Sequence, residues 1–214
     1  MDWRGVAASG ISFAFIKATQ NRIDTKYIQN ITADRAAGLL AGIYHFLDNS
    51  VITPDQARIA VTFLQEIERL TGKRPILYTY PAFIGNFSGL SQYPLWIARY
   101  SASRVPEDAQ GWNSWEFWQY RGGVDGEGGT LPNGNQRISG IGGPIDLNEY
   151  NGTEAELRSK YGKQTVAKPE TTPEQKQICV VCETTVKTGH LIGDIIYVAV
   201  CDRPSGYVPG YSRL

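Results

Sequence analysis

Pro94-Leu95-Trp96-Ile97-Ala98-Arg99-Tyr100 and, beyond a polar loop, Ser114-Trp115-Glu116-Phe117-Trp118-Gln119-Tyr120 are two short strand-like runs. They hold or border four of the chain's five tryptophans, Trp96, Trp112, Trp115 and Trp118. Aromatic rings gathered in this way build a core, or they form a wall on which sugar rings stack; the runs alone leave both readings open. Upstream, residues 11–19 (Ile-Ser-Phe-Ala-Phe-Ile-Lys-Ala-Thr) and 39–47 lack a clean polar alternation and carry β-branched and aromatic residues, as strands buried on both faces do. Residues 75–80 read as a further strand of the same kind.

Helical patterns lie between these runs. Residues 27–37 carry Tyr27, Ile28, Ile31 and Ala36-Ala37 at helical spacing, with Gly38 placed to stop them. Thr53-Pro54-Asp55-Gln56 is a helix start, with Thr53 as N-cap and Pro54 at the first helical position, and the pattern runs to Leu70 with Ile59, Phe63, Ile67 and Leu70 on one face. Thr153, followed by Glu156, opens a short closing helix over 153–161. Strands alternating with helices in the first half predict parallel βαβ units. The strands at 94–100, 115–120 and 141–147 have little helix between them. The fold class expected is therefore α/β, a TIM-like irregular β/α barrel whose last strands are joined by loops. In such barrels function sits at the carboxyl ends of the strands.

Three regions follow: a barrel domain over 1–162, a polar, proline-bearing linker over 163–177, and a small β-rich segment over 178–214. All three cysteines, Cys179, Cys182 and Cys201, fall in that last segment. With His190 they offer a Cys3His zinc reading, against which stand an irregular spacing and the lack of a second CxxC. Lys+Arg equals Asp+Glu at 21 each, so charge makes no case for nucleic acid or an anionic membrane as partner. The longest apolar run, 195–200, is far too short to span a bilayer, and Met1-Asp2-Trp3-Arg4 is unlike a signal peptide.

Taken together, Asp2-Trp3, Phe13-Ala14-Phe15-Ile16-Lys17-Ala18-Thr19, Gly42-Ile43-Tyr44-His45-Phe46, Pro75-Ile76-Leu77-Tyr78-Thr79-Tyr80, Pro94 to Tyr100, Phe117-Trp118-Gln119-Tyr120 and Ile145-Asp146-Leu147-Asn148 resemble the glycoside hydrolase family 25 lysozymes, the muramidases of bacteriophages and bacteria. The resemblance implies an irregular eight-stranded β/α barrel that cleaves the β-1,4 bond after N-acetylmuramic acid in peptidoglycan. It implies no metal and no other cofactor. Its partners would be peptidoglycan glycan strands, met by a monomer made in the cytoplasm and acting on the bacterial wall, as a phage or prophage endolysin does. Pieces of the tail, Thr184 to Gly189, His190-Leu191-Ile192-Gly193 and Gly206 to Leu214, resemble a shortened bacterial SH3-like wall-binding module.

The departures from the family pattern bear on chemistry. The family's first strand, which ends in Asp-Val-Ser, has no counterpart ahead of Asp2-Trp3. Only residues 47–52 separate Phe46 from Thr53, where the family has a helix and a strand ending in Asp-x-Glu. Six residues cannot hold both, since a crossover takes a dozen or more. Gln20 stands where the family usually has glutamate. Glycoside cleavage needs two carboxyl groups, one to protonate the leaving oxygen and one to stabilise or attack the cationic sugar. The resemblance carries over one of them, Asp146. Asp48, at a strand end, is a second candidate by position alone. Glu116 is expected to be paired or solvent-facing, and Glu66 and Glu68 to lie on a solvated helix face. For sugar binding the resemblance points to Lys17, Tyr44, His45, Tyr78, Trp96, Tyr100, Trp118 and Gln119. His45 reads equally as a strand-end histidine satisfied by a neighbour. The expectation is thus a muramidase of reduced or lost activity on an open, weakened six-stranded barrel, or a relic that binds glycan without cutting it.

Overall fold

The computed structural model describes residues 1–47, 54–100, 105–106, 109–122, 128–131, 133–135, 137–143, 145–162 and 196–201. One sheet organises them. Its strands are β1 (Phe13–Gln20), β2 (Arg22–Ile23), β3 (Leu40–Leu47), β4 (Ile76–Thr79), β5 (Leu95–Ala98), β6 (Phe117–Arg121), β7 (Leu147–Tyr150) and β8 (Ile196–Cys201), in the order β2-β1-β3-β8-β4-β5-β6-β7. From β1 to β6 in that order every pairing is parallel; β2 and β7 pair antiparallel at the two ends. The helices are α1 (Trp3–Ala8), α2 (Tyr27–Ala36), α3 (Pro54–Thr71), α4 (Pro81–Ile84) and α5 (Glu154–Tyr161).

The apolar alternation of the strands sorts the core by face. Phe13, Phe15, Tyr44, Tyr78, Trp96, Phe117 and Tyr150 pack on the inner face of a curled sheet. The curl brings distant strands together: the Phe15 ring of β1 stacks on Trp96 of β5 at 4.1 Å, and Phe13 meets Phe117 of β6 at 5.3 Å. On the outer face, Leu77, Leu95 and Ile97 pack under Ala60 and Leu64 of α3, while Ile16, Ala41 and Leu147 pack with Ile31 of α2 and Trp3 and Val6 of α1. Among the described residues the sheet is curled, and its end strands β2 and β7 are not paired with each other.

The helix ends follow the chemistry of their residues. The Thr153–Glu156 capping box forms, with the Thr153 N–H donating to Glu156 Oε2 at 2.7 Å and the Glu156 N–H donating to Thr153 Oγ1 at 3.2 Å. Thr53 lies outside the described residues. The helix α1, absent from the sequence reading, is capped by Asp2, whose carboxylate accepts from the Arg4 and Gly5 N–H groups. That end of the chain is tied down where the Asp2 N–H donates to Gly140 O at 3.0 Å. Gly140 has φ +87, and a Cβ there would stand 2.3 Å from Asp2 O, so the close approach requires glycine.

Two expectations are corrected. The strand foreseen at 141–147 forms at Leu147–Tyr150 instead. Gly142, Gly143 and Pro144 interrupt the earlier run: two glycines pack no side chain and proline cannot donate to a ladder. The second correction concerns the strand count. Residues 196–201 pair inside the main sheet, between β3 and β4. Six register pairs join β8 to β3, from Gly42↔Ile196 to Leu47↔Cys201, and three join it to β4, from Ile76↔Val198 to Tyr78↔Val200. The sheet therefore has eight strands, two more than the six foreseen. The physical reason is the free edge of a parallel sheet: without β8, both β3 and β4 would present unpaired N–H and C=O groups, and a β-branched run satisfies them on both sides. The remainder of the suspected wall-binding module and the Cys179, Cys182 and His190 of the zinc reading lie outside the described residues.

Candidate functional site at the carboxyl mouth of the sheet

Parallel strands end on one side, and at that mouth the sheet collects β1 at Thr19-Gln20, β3 at His45 to Leu47, β4 at Thr79, β5 at Ala98 and β6 at Gln119 to Arg121. Antiparallel β7 begins there, because Leu147 pairs with Arg121. Asp146, one residue earlier, is exposed at the same mouth. A cavity of about 920 Å³ runs from it into the curled sheet and is bordered by Phe15, Tyr44, Phe46, Tyr78, Trp96 and Asp146.

A buried amide lies behind the cavity wall, bonded to the cavity-lining Tyr78. Gln119, 3% exposed, projects inward from β6, and its Oε1 accepts from the Tyr78 hydroxyl at 3.0 Å and the Tyr100 hydroxyl at 3.3 Å. Two phenols from β4 and from the residues after β5 thereby fix one orientation of the amide, which directs its NH2 group away from them. Trp96 sits below, its Nε1–H donating to Asn148 Oδ1 at 2.8 Å and its ring held between Phe15 and the edge of Tyr78. At 4% exposure Trp96 is the floor of the cavity rather than an open stacking face. Tyr44 and Tyr100 are both half-buried on the inner face, and Tyr44 borders the cavity.

His45 projects toward α3. A bulge in β1 between Lys17 and Thr19 brings Thr19 level with His45. Thr19 Oγ1 and His45 Nδ1 are 2.6 Å apart, and the imidazole stacks on Phe63 of α3 at 5.0 Å. Burial lowers the His45 pKa, which keeps the ring neutral near pH 7. It is a satisfied strand-end histidine on the α3 side. Trp118 alternates with Gln119, donates its Nε1–H to Arg99 O at 2.7 Å, packs against the α3-side cluster and Trp115, and also borders the cavity. Trp112, which donates to Tyr93 O, is core.

Charges at the mouth are partly spoken for. Lys17 Nζ lies 3.3 Å from Gln20 Oε1 and 3.5 Å from the Asp24 carboxylate, whose pKa is lowered first by the Lys26 N–H and then by Lys17. Asp146 is exposed, and Asp48 lies outside the described residues. Glu116 is at the opposite end of β6, where Lys160 donates to it at 2.7 Å and Tyr161 at 3.0 Å, so it is paired and remote from the mouth. Glu66 is held by Arg69 on the surface of α3. Among the described residues no three His, Cys, Asp or Glu gather as a metal site would require, and no helix is long and apolar enough to cross a membrane.

This curled α/β sheet, with a polar, aromatic-lined mouth at the strand ends, has known counterparts. The pattern of the glycosyl hydrolases family 25 matches residues 1–61 and 51–128. The chain is 32% identical, over 202 aligned residues, to the uncharacterized protein YegX of Escherichia coli O157:H7, covering 74% of this chain and 68% of that one. It is 24% identical to lysozyme M1 of Streptomyces globisporus, with 73% and 66% covered. Among solved structures it resembles the bacterial lysozyme of Streptomyces coelicolor, with a TM-score of 0.58, 22% identity, and 76% of this chain and 91% of that one covered. A family 25 glycosyl hydrolase of Bacillus anthracis gives a TM-score of 0.57 at 22% identity, with 74% and 87% covered. The chain belongs to glycoside hydrolase family 25.

Sequence reasoning missed Phe15 and Asn148 as the partners of Trp96, and Thr19 as the partner of His45. Strand parity, counted through each run, would have separated Tyr44, which borders the cavity, from His45.

Proposed function

We propose that the protein binds peptidoglycan glycan at the carboxyl mouth and hydrolyses the β-1,4 bond after N-acetylmuramic acid at a rate below that of its relatives. The observation that carries this reading is the cavity bordered by Tyr44, Tyr78, Trp96, Trp118 and the exposed Asp146, with the Gln119 amide held behind it by the Tyr78 and Tyr100 hydroxyls. Neutral sugars offer hydroxyl and acetamido groups. A fixed amide and phenols match them in hydrogen bonding, and half-buried rings match their apolar faces. Asp146 has the place to stabilise positive charge developing at the anomeric carbon.

The rate is low because the six residues between Phe46 and Thr53 leave no room for the family's helix and Asp-x-Glu strand. Support for the reading also comes from the names of two relatives, both lysozymes. A peptidoglycan turbidity assay beside a pulldown on insoluble wall tests it. Retention on the wall with slow lysis that Asp146→Asn abolishes is the expected result. Retention without lysis makes the protein a non-catalytic glycan binder, and failure of both refutes the reading.

A further inference from the structure

Asn148 of β7 stands half-buried on the wall of the cavity, opposite Gln119 in the register of β6 and β7. Its Oδ1 accepts the Trp96 Nε1–H at 2.8 Å. An indole nitrogen can only donate, so the atom facing it must be the amide oxygen, and the carboxamide is held in one of its two orientations. The Nδ2 group, with two N–H donors, has no hydrogen-bond partner among the described residues. It is the part of Asn148 left to meet a ligand in the cavity. The rings beside it are Trp96 and Phe15, stacked at 4.1 Å, with the edge of Tyr78 closing on Trp96 at 4.6 Å.

We propose that Asn148 selects N-acetylated glycan, its Nδ2–H donating to the carbonyl oxygen of a sugar acetamido group. The proposal rests on the glycan reading above and deepens it by naming the group on the sugar that is read. Sugar hydroxyls both donate and accept, whereas an acetamido carbonyl only accepts and has a methyl group beside it. A donor-only NH2 bordered by aromatic rings complements that combination, oxygen to the N–H and methyl to the rings. Asp146, two residues earlier and on the same cavity, offers acceptors, so hydroxyls and acetamido carbonyls meet different side chains. A sugar without its acetyl group covers the Asn148 donors and gives them no carbonyl, and a desolvated donor left unmatched is what rejects it.

The test uses the full chain and two soluble probes, the β-1,4 tetramer of N-acetylglucosamine and the same tetramer with its acetyl groups removed. Both are titrated calorimetrically at a pH where the free amines are neutral. The wild type is expected to bind the acetylated tetramer about tenfold more tightly, the worth of a neutral hydrogen bond. Asn148→Asp keeps an acceptor for the Trp96 N–H and removes the donor, so it is expected to lose the preference while remaining folded in thermal melts. A preference unchanged in Asn148→Asp overturns the proposal. Should that variant not fold, Trp96→Phe decides: it keeps an aromatic ring and frees the amide to turn, so the preference falls, and a preference unchanged there overturns the proposal. Retention of the wild type on insoluble wall with no preference between the tetramers overturns the proposal and leaves glycan binding intact. Failure of wall retention in the wild type overturns the reading beneath it.

Discussion

Asp34 offers a sharp test of the packing between α2 and the sheet. The residue is fully buried near the end of α2, and neither carboxyl oxygen has a hydrogen-bond partner among the described residues. Burial pushes its pKa up from 3.8 to about 7, against a smaller opposing pull from Arg35. The sign follows from proton counting. Between pH 4 and 7 the unfolded chain has released this proton while the folded chain still holds it, so stability falls as pH rises through that window and levels above it. At about 1.4 kcal/mol per pKa unit, the penalty above pH 7 is on the order of 4 kcal/mol as an upper figure. Asp34→Asn removes the titration and keeps the volume. In melts from pH 4.5 to 8, the variant should gain on the wild type as pH rises, by a few kcal/mol at pH 8 and by little at pH 4.5. A difference between the two proteins that stays constant with pH would refute the reasoning.

Gln119→Leu should leave the Tyr78 and Tyr100 hydroxyls without their shared acceptor. A loss of about 1–3 kcal/mol in melting stability is expected, with glycan retention falling further than stability explains, as read by wall pulldown at a temperature where the variant is folded. Thr153→Ala removes the cap of α5 and should cost about 1 kcal/mol in denaturant melts, leaving wall retention unchanged because α5 is remote from the mouth.

Much of the frame was legible because its signals are local. Helix α3 ends at Thr71 with Gly72 at φ +66, and α2 gives way to Gly38 at φ +83, as glycine stops imply. The parallel units were legible from buried runs such as 11–19, where the hydrophobic pattern itself forbids a solvent-facing side. What was hidden depends on long-range pairing. Nothing local in residues 196–201 says that they pair with residues 42–47 rather than with one another, because a β-branched run suits any open edge. The site was legible as residue types and not as directions. Tyr44 and His45 are neighbours in sequence, yet one lines the cavity and the other stacks on Phe63, and the bulge beside Thr19 that matches His45 leaves no mark on composition.

The position of β8 also orders events in time. A chain growing from its amino end makes β1 to β7 first, and in that interval β3 and β4 have no neighbour on their facing edges. The pairing of β8 with β3, the greatest sequence separation among the described strand pairs, forms only after Cys201 has left the ribosome. Contacts of such high order are slow to form, and until they do two long parallel edges are open to pairing with other chains. Synthesis that stalls anywhere in residues 163–195 would therefore yield a product prone to aggregate, whereas release of the finished chain lets a single strand close both edges at once.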